Sequence, residues 1–247
     1  MSREPLAPDA APIPERAELQ LQMQTLLRDL AVLRGPELPA AQRQSRAWLK
    51  AWQVQRLAQT HAQWLEQPRY AAAARFFLED LYGPKNHERR DADLARVLPK
   101  LFKLLPRAAL HTLAEAMRMD VLSESLDAQM AQWLVAHGAL RSAGDLDLDR
   151  YVMAYRLCGT ADERREQIDL VLRIGRSLDQ LTRLPMLSGT LALMKKPAQR
   201  AGLAELHDFL HRGFHAFAQM KGAEPFLQGV VQRERELMLS WLQPPRT

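Results

Sequence analysis

Wherever apolar residues recur in this chain they recur at about 3.6 residues per turn, and no segment alternates apolar and polar residues as an exposed strand would. That periodicity predicts an all-α protein, a multi-helix bundle in which each helix buries one face. Prolines and glycines punctuate it. Pro5, Pro8, Pro12 and Pro14 crowd the first residues, a spacing through which neither helix nor ladder propagates, so residues 1–14 read as a disordered tail. Residues 15–243 read as one helical domain, and the Gly-, Ser- and Asp-rich loop at 138–147 is where a subdivision would fall.

The first helix carries Leu19, Met23, Leu26, Leu27, Leu30 and Leu33 on one face and stops at Gly35 and Pro36. A second starts at Pro39, carries Trp48, Leu49, Trp52, Leu57, His61, Trp64 and Leu65, and runs as one helix until Pro68. After Pro106 the apolar spacing continues to Gly138 with a phase slip between Met119 and Ser123, which predicts one broken helix or two. A short helix over 148–157 ends at Gly159. Thr160 and Glu163 then form a capping box that opens a helix with Ile168, Val171, Leu172, Gly175, Leu178 and Leu181 on one face. A short segment over 187–194 and helices near 202–220 and 225–242 complete the count.

The densest apolar and aromatic stretch runs from Tyr70 to Pro106. At 100° per residue, Tyr70, Ala73, Ala74, Phe77, Leu78 and Leu81 share an arc with Phe76 and Asp80 at its edge, and four consecutive alanines admit a close neighbour. This helix is predicted to be central, with Phe76, Phe77 and Leu81 in the core and Gly83–Pro84 as its stop. The following helix sets Leu94, Val97, Leu98, Leu101, Leu104 and Leu105 opposite Arg96, Lys100, Lys103 and Arg107, with Pro99 inside it predicting a kink or restart. Asp80 is expected to pair with an arginine of the Arg89–Arg96 run, because an unpaired buried carboxylate is costly.

FFLEDLYG from Phe76 to Gly83, RRDADLAR from Arg89 to Arg96 and LSESLDA from Leu122 to Ala128 resemble a family of bacterial proteins named after an FFLEELY motif. Phe76, Phe77, Asp80, Leu81, Tyr82, Gly83, Arg90 and Asp91 carry the likeness as a structural motif. It departs at Asp80, where the motif has Glu. The resemblance implies a helical, cytoplasmic bacterial protein and carries no activity, ligand or catalytic residue.

The net charge of +5 comes from 34 Lys and Arg against 29 Asp and Glu. Only seven of the basic residues are lysines, leaving 27 arginines beside abundant alanine, a skew that a GC-rich genome produces without selection for an anionic partner. Arg96, Lys100, Lys103 and Arg107 form the one basic row that suggests weak, salt-sensitive, non-specific binding to anionic surfaces. The start of the chain has charged residues among prolines and lacks the apolar run of a signal peptide. Charges interrupt every apolar segment before the roughly 20 residues of a membrane span, and a cytoplasmic protein is expected.

His207, His211 and His215 recur at four-residue spacing, as a metal on one helix face would require. The packing reading is stronger, because the apolar arc of that helix runs beside them and no Glu-x-x-His partner pattern occurs. Glu79, Asp80, Asp91 and Asp93 lie so near arginines that ion pairing explains them better than a magnesium cluster. The lone Cys158 reads as a small packed residue, a catalytic thiol being the lesser alternative. There is no phosphate loop, dinucleotide fingerprint or nucleophile elbow, so no cofactor and no catalytic residue is assigned and an enzyme is the less favoured class. Three functions remain: a non-enzymatic interaction or regulatory protein with a protein partner; a helical-bundle enzyme or small-ligand binder with a pocket lined by Trp48, Trp52, Phe76, Phe77 and Trp133; or peripheral membrane association. A core without a cavity favours the first, and an apolar pocket holding convergent polar groups favours the second.

Overall fold

The computed structural model describes residues 13–35, 37–81 and 87–243, without the side chains of residues 80, 81, 87–92, 185 and 186. Among these residues 83% are helical and there is no strand. The elements are α1 (Arg16–Arg34), α2 (Ala40–Thr60), α3 (Ala62–Glu66), α4 (Ala71–Arg75) with a π-helical turn (Phe76–Leu81), α5 (His87–Leu104), α6 (Arg107–Ala136), α7 (Leu148–Leu157), α8 (Ala161–Thr182), α9 (Pro185–Arg200), α10 (Ala204–Met220) and α11 (Glu224–Leu242). No described helix is long and apolar enough to cross a membrane.

The axis of the bundle is α6, which continues without interruption through the phase slip after Met119. It packs against α1, α2 and α8, and α11 lies along α8. Leu110, Met117, Leu126, Met130 and Leu134 are buried along it, so it contributes to several apolar clusters at once. Leu19, Met23 and Leu26 of α1 meet Leu94 and Leu98 of α5 at one end of α6. At the other, Tyr151 and Tyr155 of α7, Met238 and Trp241 of α11 and Leu49 of α2 close around Met130 and Leu134. The capping box at Thr160 forms as its spacing predicts, with Thr160 N donating to Glu163 Oε2 at 2.7 Å and Glu163 N to Thr160 Oγ1 at 3.2 Å. Gly175 lets α11 close on α8, since a Cβ there would stand 2.3 Å from Leu227 Cδ2.

Several expected boundaries shift. The second helix does not run unbroken to Pro68: it ends at Thr60, and His61, with φ −112° and ψ 21°, turns inward before α3 begins. The segment after Tyr70 is α-helical only to Arg75 and then widens into the π turn, which rotates Phe76 off the edge of the arc and into the interior, while Phe77 is half-buried. The last helical run before the final pair reaches from Pro185 to Arg200, well beyond the 187–194 segment expected, because Pro197 interrupts only one backbone donor. Likewise α5 continues through Pro99, whose ring side is exposed. Tyr82, Gly83 and Pro84, and the side chains of Asp80, Leu81, Arg90 and Asp91, fall outside the described residues, and with them the expected Asp80–arginine pair.

Candidate functional site

A half-open cavity of about 130 Å³ reaches into the bundle, walled by α2, α4 with its π turn, α6, α7, α8 and α11. Its lining changes character along the helices. On α8 it passes from Arg164 and Gln167 to Ile168 and Val171, and on α11 from Glu234 to Val230, Leu227 and Phe226. Seven residues of α-helix span about 10 Å, so one end of the space is polar and the other, closed by Phe77, Leu78 and Ala74, is apolar.

The polar end is built from side chains that each sit on the buried arc of their helix. Both carboxylate oxygens of Glu234 accept from Arg56 Nη1, at 2.6 and 2.7 Å, and Oε1 lies 2.8 Å from His61 Nε2. A carboxylate only accepts, so His61 carries its proton on Nε2. Burial alone would raise the Glu234 carboxyl, but the His61 hydrogen bond and the Arg56 charge outweigh it and hold it below the usual carboxylate range. Gln53 Nε2 donates to Asp127 Oδ1 at 2.9 Å. Burial raises Asp127 above its ordinary value, with the Glu124 charge adding to it, against the opposing pull of Lys50, Gln53 and Arg164.

Arg164 is 3% exposed. Its Nη2 donates to Met130 Sδ at 3.1 Å and Cys158 O at 3.2 Å, and its guanidinium lies 4.0 Å over the Tyr155 ring. None of these partners is an anion. Arg164 Nε, Arg56 Nε and His61 Nδ1 are buried without a hydrogen-bond partner, and a cluster of such groups in one place is uncommon in folded proteins. Arg56 also borders an outer groove of about 280 Å³ between Trp52 and Trp241, with its guanidinium 5.4 Å from the Trp241 ring centroid. The Arg56–Glu234 pair therefore stands between the outer groove and the cavity.

Residues 34–244 match the model of a family described as Domain of unknown function (DUF8198). The chain belongs to that family. No curated protein and no solved structure matches it. The span of the DUF8198 domain takes in every residue of the cavity wall, from Gln53 to Glu234, and leaves out all of α1 except Arg34.

Of the aromatic residues expected to line a pocket in the DUF8198 domain, Phe77 alone borders this cavity, and Trp52 lines the outer groove. Phe76 packs away from the cavity against Phe209, with ring centroids 5.4 Å apart. Trp52 stacks on Tyr151 at 4.3 Å and faces the outer groove, Trp133 stacks on His137 at 4.0 Å, and Trp48 packs against the α6–α7–α11 core. In the basic row, Arg96 is held by Asp93 at 2.9 Å and Arg107 by Glu15 at 2.7 Å, while Lys100 and Lys103 are exposed. His207 is buried, with Nε2 2.8 Å from Leu191 O, which makes Nε2 the donor; His211 and His215 have ring centroids 4.3 Å apart. Among the described residues no three His, Cys, Asp or Glu side chains are arranged to hold a metal. Cys158 Sγ donates to Gln129 O at 3.7 Å, and burial pushes its thiol up, away from thiolate.

The missed residues had a signal. Arg164 is in phase with Ile168, Val171 and Gly175; Glu234 with Leu227, Val231, Met238 and Trp241; Asp127 with Met130, Ala131 and Leu134. A lone charged residue on an apolar arc marks a place where something polar must be met inside.

Asp127→Asn tests the reading of the polar end. A raised folded pKa means the native state holds a proton that the unfolded chain has released, so stability is full below about pH 4 and declines as pH rises through the folded value. The slope is about 1.4 kcal/mol per pH unit across that window. Asn mimics the protonated acid and still accepts from Gln53, so the variant is expected to match wild type near pH 3.5 and to exceed it at pH 7. Urea denaturation across pH that leaves wild type the more stable at pH 7 contradicts a protonated Asp127.

Proposed function

We propose that this protein binds a small amphipathic molecule in the cavity between α2, α6, α8 and α11. The observation that carries the reading is the pairing of a polar end containing buried, unpartnered hydrogen-bonding atoms with an apolar end of Phe77, Leu78, Phe226 and Leu227. A cavity that only filled a packing gap would be apolar and dry, with no unmet polar atoms in its wall. Binding fits better than catalysis, because His61 and Arg56 are tied to Glu234, Asp127 is tied to Gln53, and the Cys158 thiol points at a carbonyl. The resemblance to the FFLEELY-motif proteins supports placing this binder in a bacterial cytoplasm. A protein partner is the weaker reading, since two of the four basic-row residues already serve intramolecular pairs and the other two suit only weak contact with anionic surfaces.

Toluene in slight excess is expected to raise the thermal midpoint of the protein and shift the methyl resonances of Leu78, Val171 and Leu227. Val230→Phe, which places a ring in the cavity, is expected to fold and to abolish both effects. Toluene that leaves wild-type methyl resonances and midpoint unchanged removes the proposal.

A further inference from the structure

Resting on that reading, we infer that the ligand is a small monocarboxylate, its carboxylate set against Arg164 and its body, about the size of one benzene ring, held among Phe77, Leu78, Phe226 and Leu227. The charge balance at the polar end points to one negative charge. Arg56 and Glu234 neutralise each other through two hydrogen bonds, so they contribute no net charge. Arg164 has a sulfur, a carbonyl and an aromatic face at contact distance and its Nε has no acceptor, while the carboxyl that feels its charge, Asp127, makes no hydrogen bond to it and is raised by burial. An uncompensated guanidinium in a low-dielectric interior is costly, and a fork-shaped donor matches a carboxylate geometrically.

The other polar groups fit the same occupant. Asp127, 8% exposed, is pushed toward its protonated form by burial, which weakens its repulsion of a carboxylate. Tyr151 is likewise kept neutral by burial. A dianion would leave one charge unpaired, and a cation would meet Arg164 directly. Size sets the remaining limit: a space of about 130 Å³ takes a ring or a short branched chain, and the bulk of a nucleotide would stay outside it.

The test compares three probes that share a ring, namely toluene, benzamide and benzoate, each titrated into the full-length protein and followed by methyl NMR and calorimetry. Benzoate is expected to bind at least about tenfold more tightly than benzamide, the effect of one charge-assisted hydrogen bond. Arg164→Gln is expected to erase that difference while leaving toluene affinity within about twofold. Toluene binding without a preference for benzoate over benzamide overturns the carboxylate inference and leaves the cavity-binding proposal standing. Failure of all three probes overturns both. If Arg164→Gln does not fold by circular dichroism, the benzoate-to-benzamide ratio on wild type decides alone.

Discussion

Phe76→Ala is expected to remove about 3–5 kcal/mol of folding stability. The ring is 6% exposed and lies against Phe209 and Phe77, with centroid distances of 5.4 and 6.5 Å. Facing it on α10 is Gly213, where a Cβ would come within 2.6 Å of Phe76 Cζ. The two helices have therefore closed to a separation that only this ring and a bare backbone allow, and neither has a side chain able to fill the space left by truncation. Phe77→Ala is expected to cost less, because Phe77 is half-buried and already borders empty volume. Urea denaturation measures both: the midpoint for Phe76→Ala falls with the slope unchanged, and by more than for Phe77→Ala. The reverse order would mean that the π turn does not aim Phe76 inward.

A loss of similar size, about 3–5 kcal/mol, is expected for Arg34→Met. Arg34 ends α1 and reaches α6, where its Nε lies 2.7 Å from Glu124 Oε1 and its Nη1 donates to Asp120 Oδ2 at 3.0 Å. Glu124 is 3% exposed and also takes Lys50 of α2, so one carboxylate joins three helices. Burial alone would raise Glu124, yet Lys50 and Arg34 together hold it below the usual range. Its contribution is therefore full above the unfolded-state value near pH 4.3 and is lost as pH falls through the folded one. Without Arg34 the buried carboxylate keeps a single cation, and Asp120 loses a fork. Adding Glu124→Leu to Arg34→Met should restore much of the stability, because the buried charge is then gone. A double variant no more stable than the single one would show that the loss arises elsewhere, in the docking of α1.

Two of the three buried carboxylates of α6, Glu124 and Asp127, lie one turn apart and answer pH in opposite directions. Glu124 has two cations at hydrogen-bond distance and is held ionised. Asp127 has a neutral amide and is held toward protonation. The difference decides their roles: Glu124 joins α1 and α2 to α6, while Asp127 faces the cavity with its carboxyl pushed toward protonation.

Period and punctuation were enough to read most of the described helices, because each helix needs only its own spacing of apolar residues and its own stops. Thr160 with Glu163, Gly35 at the end of α1 and the Leu148–Leu157 helix between two loops all follow from interactions within one or two turns. The break at His61 was not legible, since the reason for it is Glu234, 173 residues away. The π turn at Phe76 was not legible either, because its wide register is held by Gly213 and Phe209 on a later helix. Gln53, Arg56, Asp127, Arg164 and Glu234 each stood visibly out of place on an apolar face. That they meet, and that Arg164 has no carboxylate at hydrogen-bond distance, depends on how α2, α6, α8 and α11 cross, and burial acts on charge only once those crossings have excluded water.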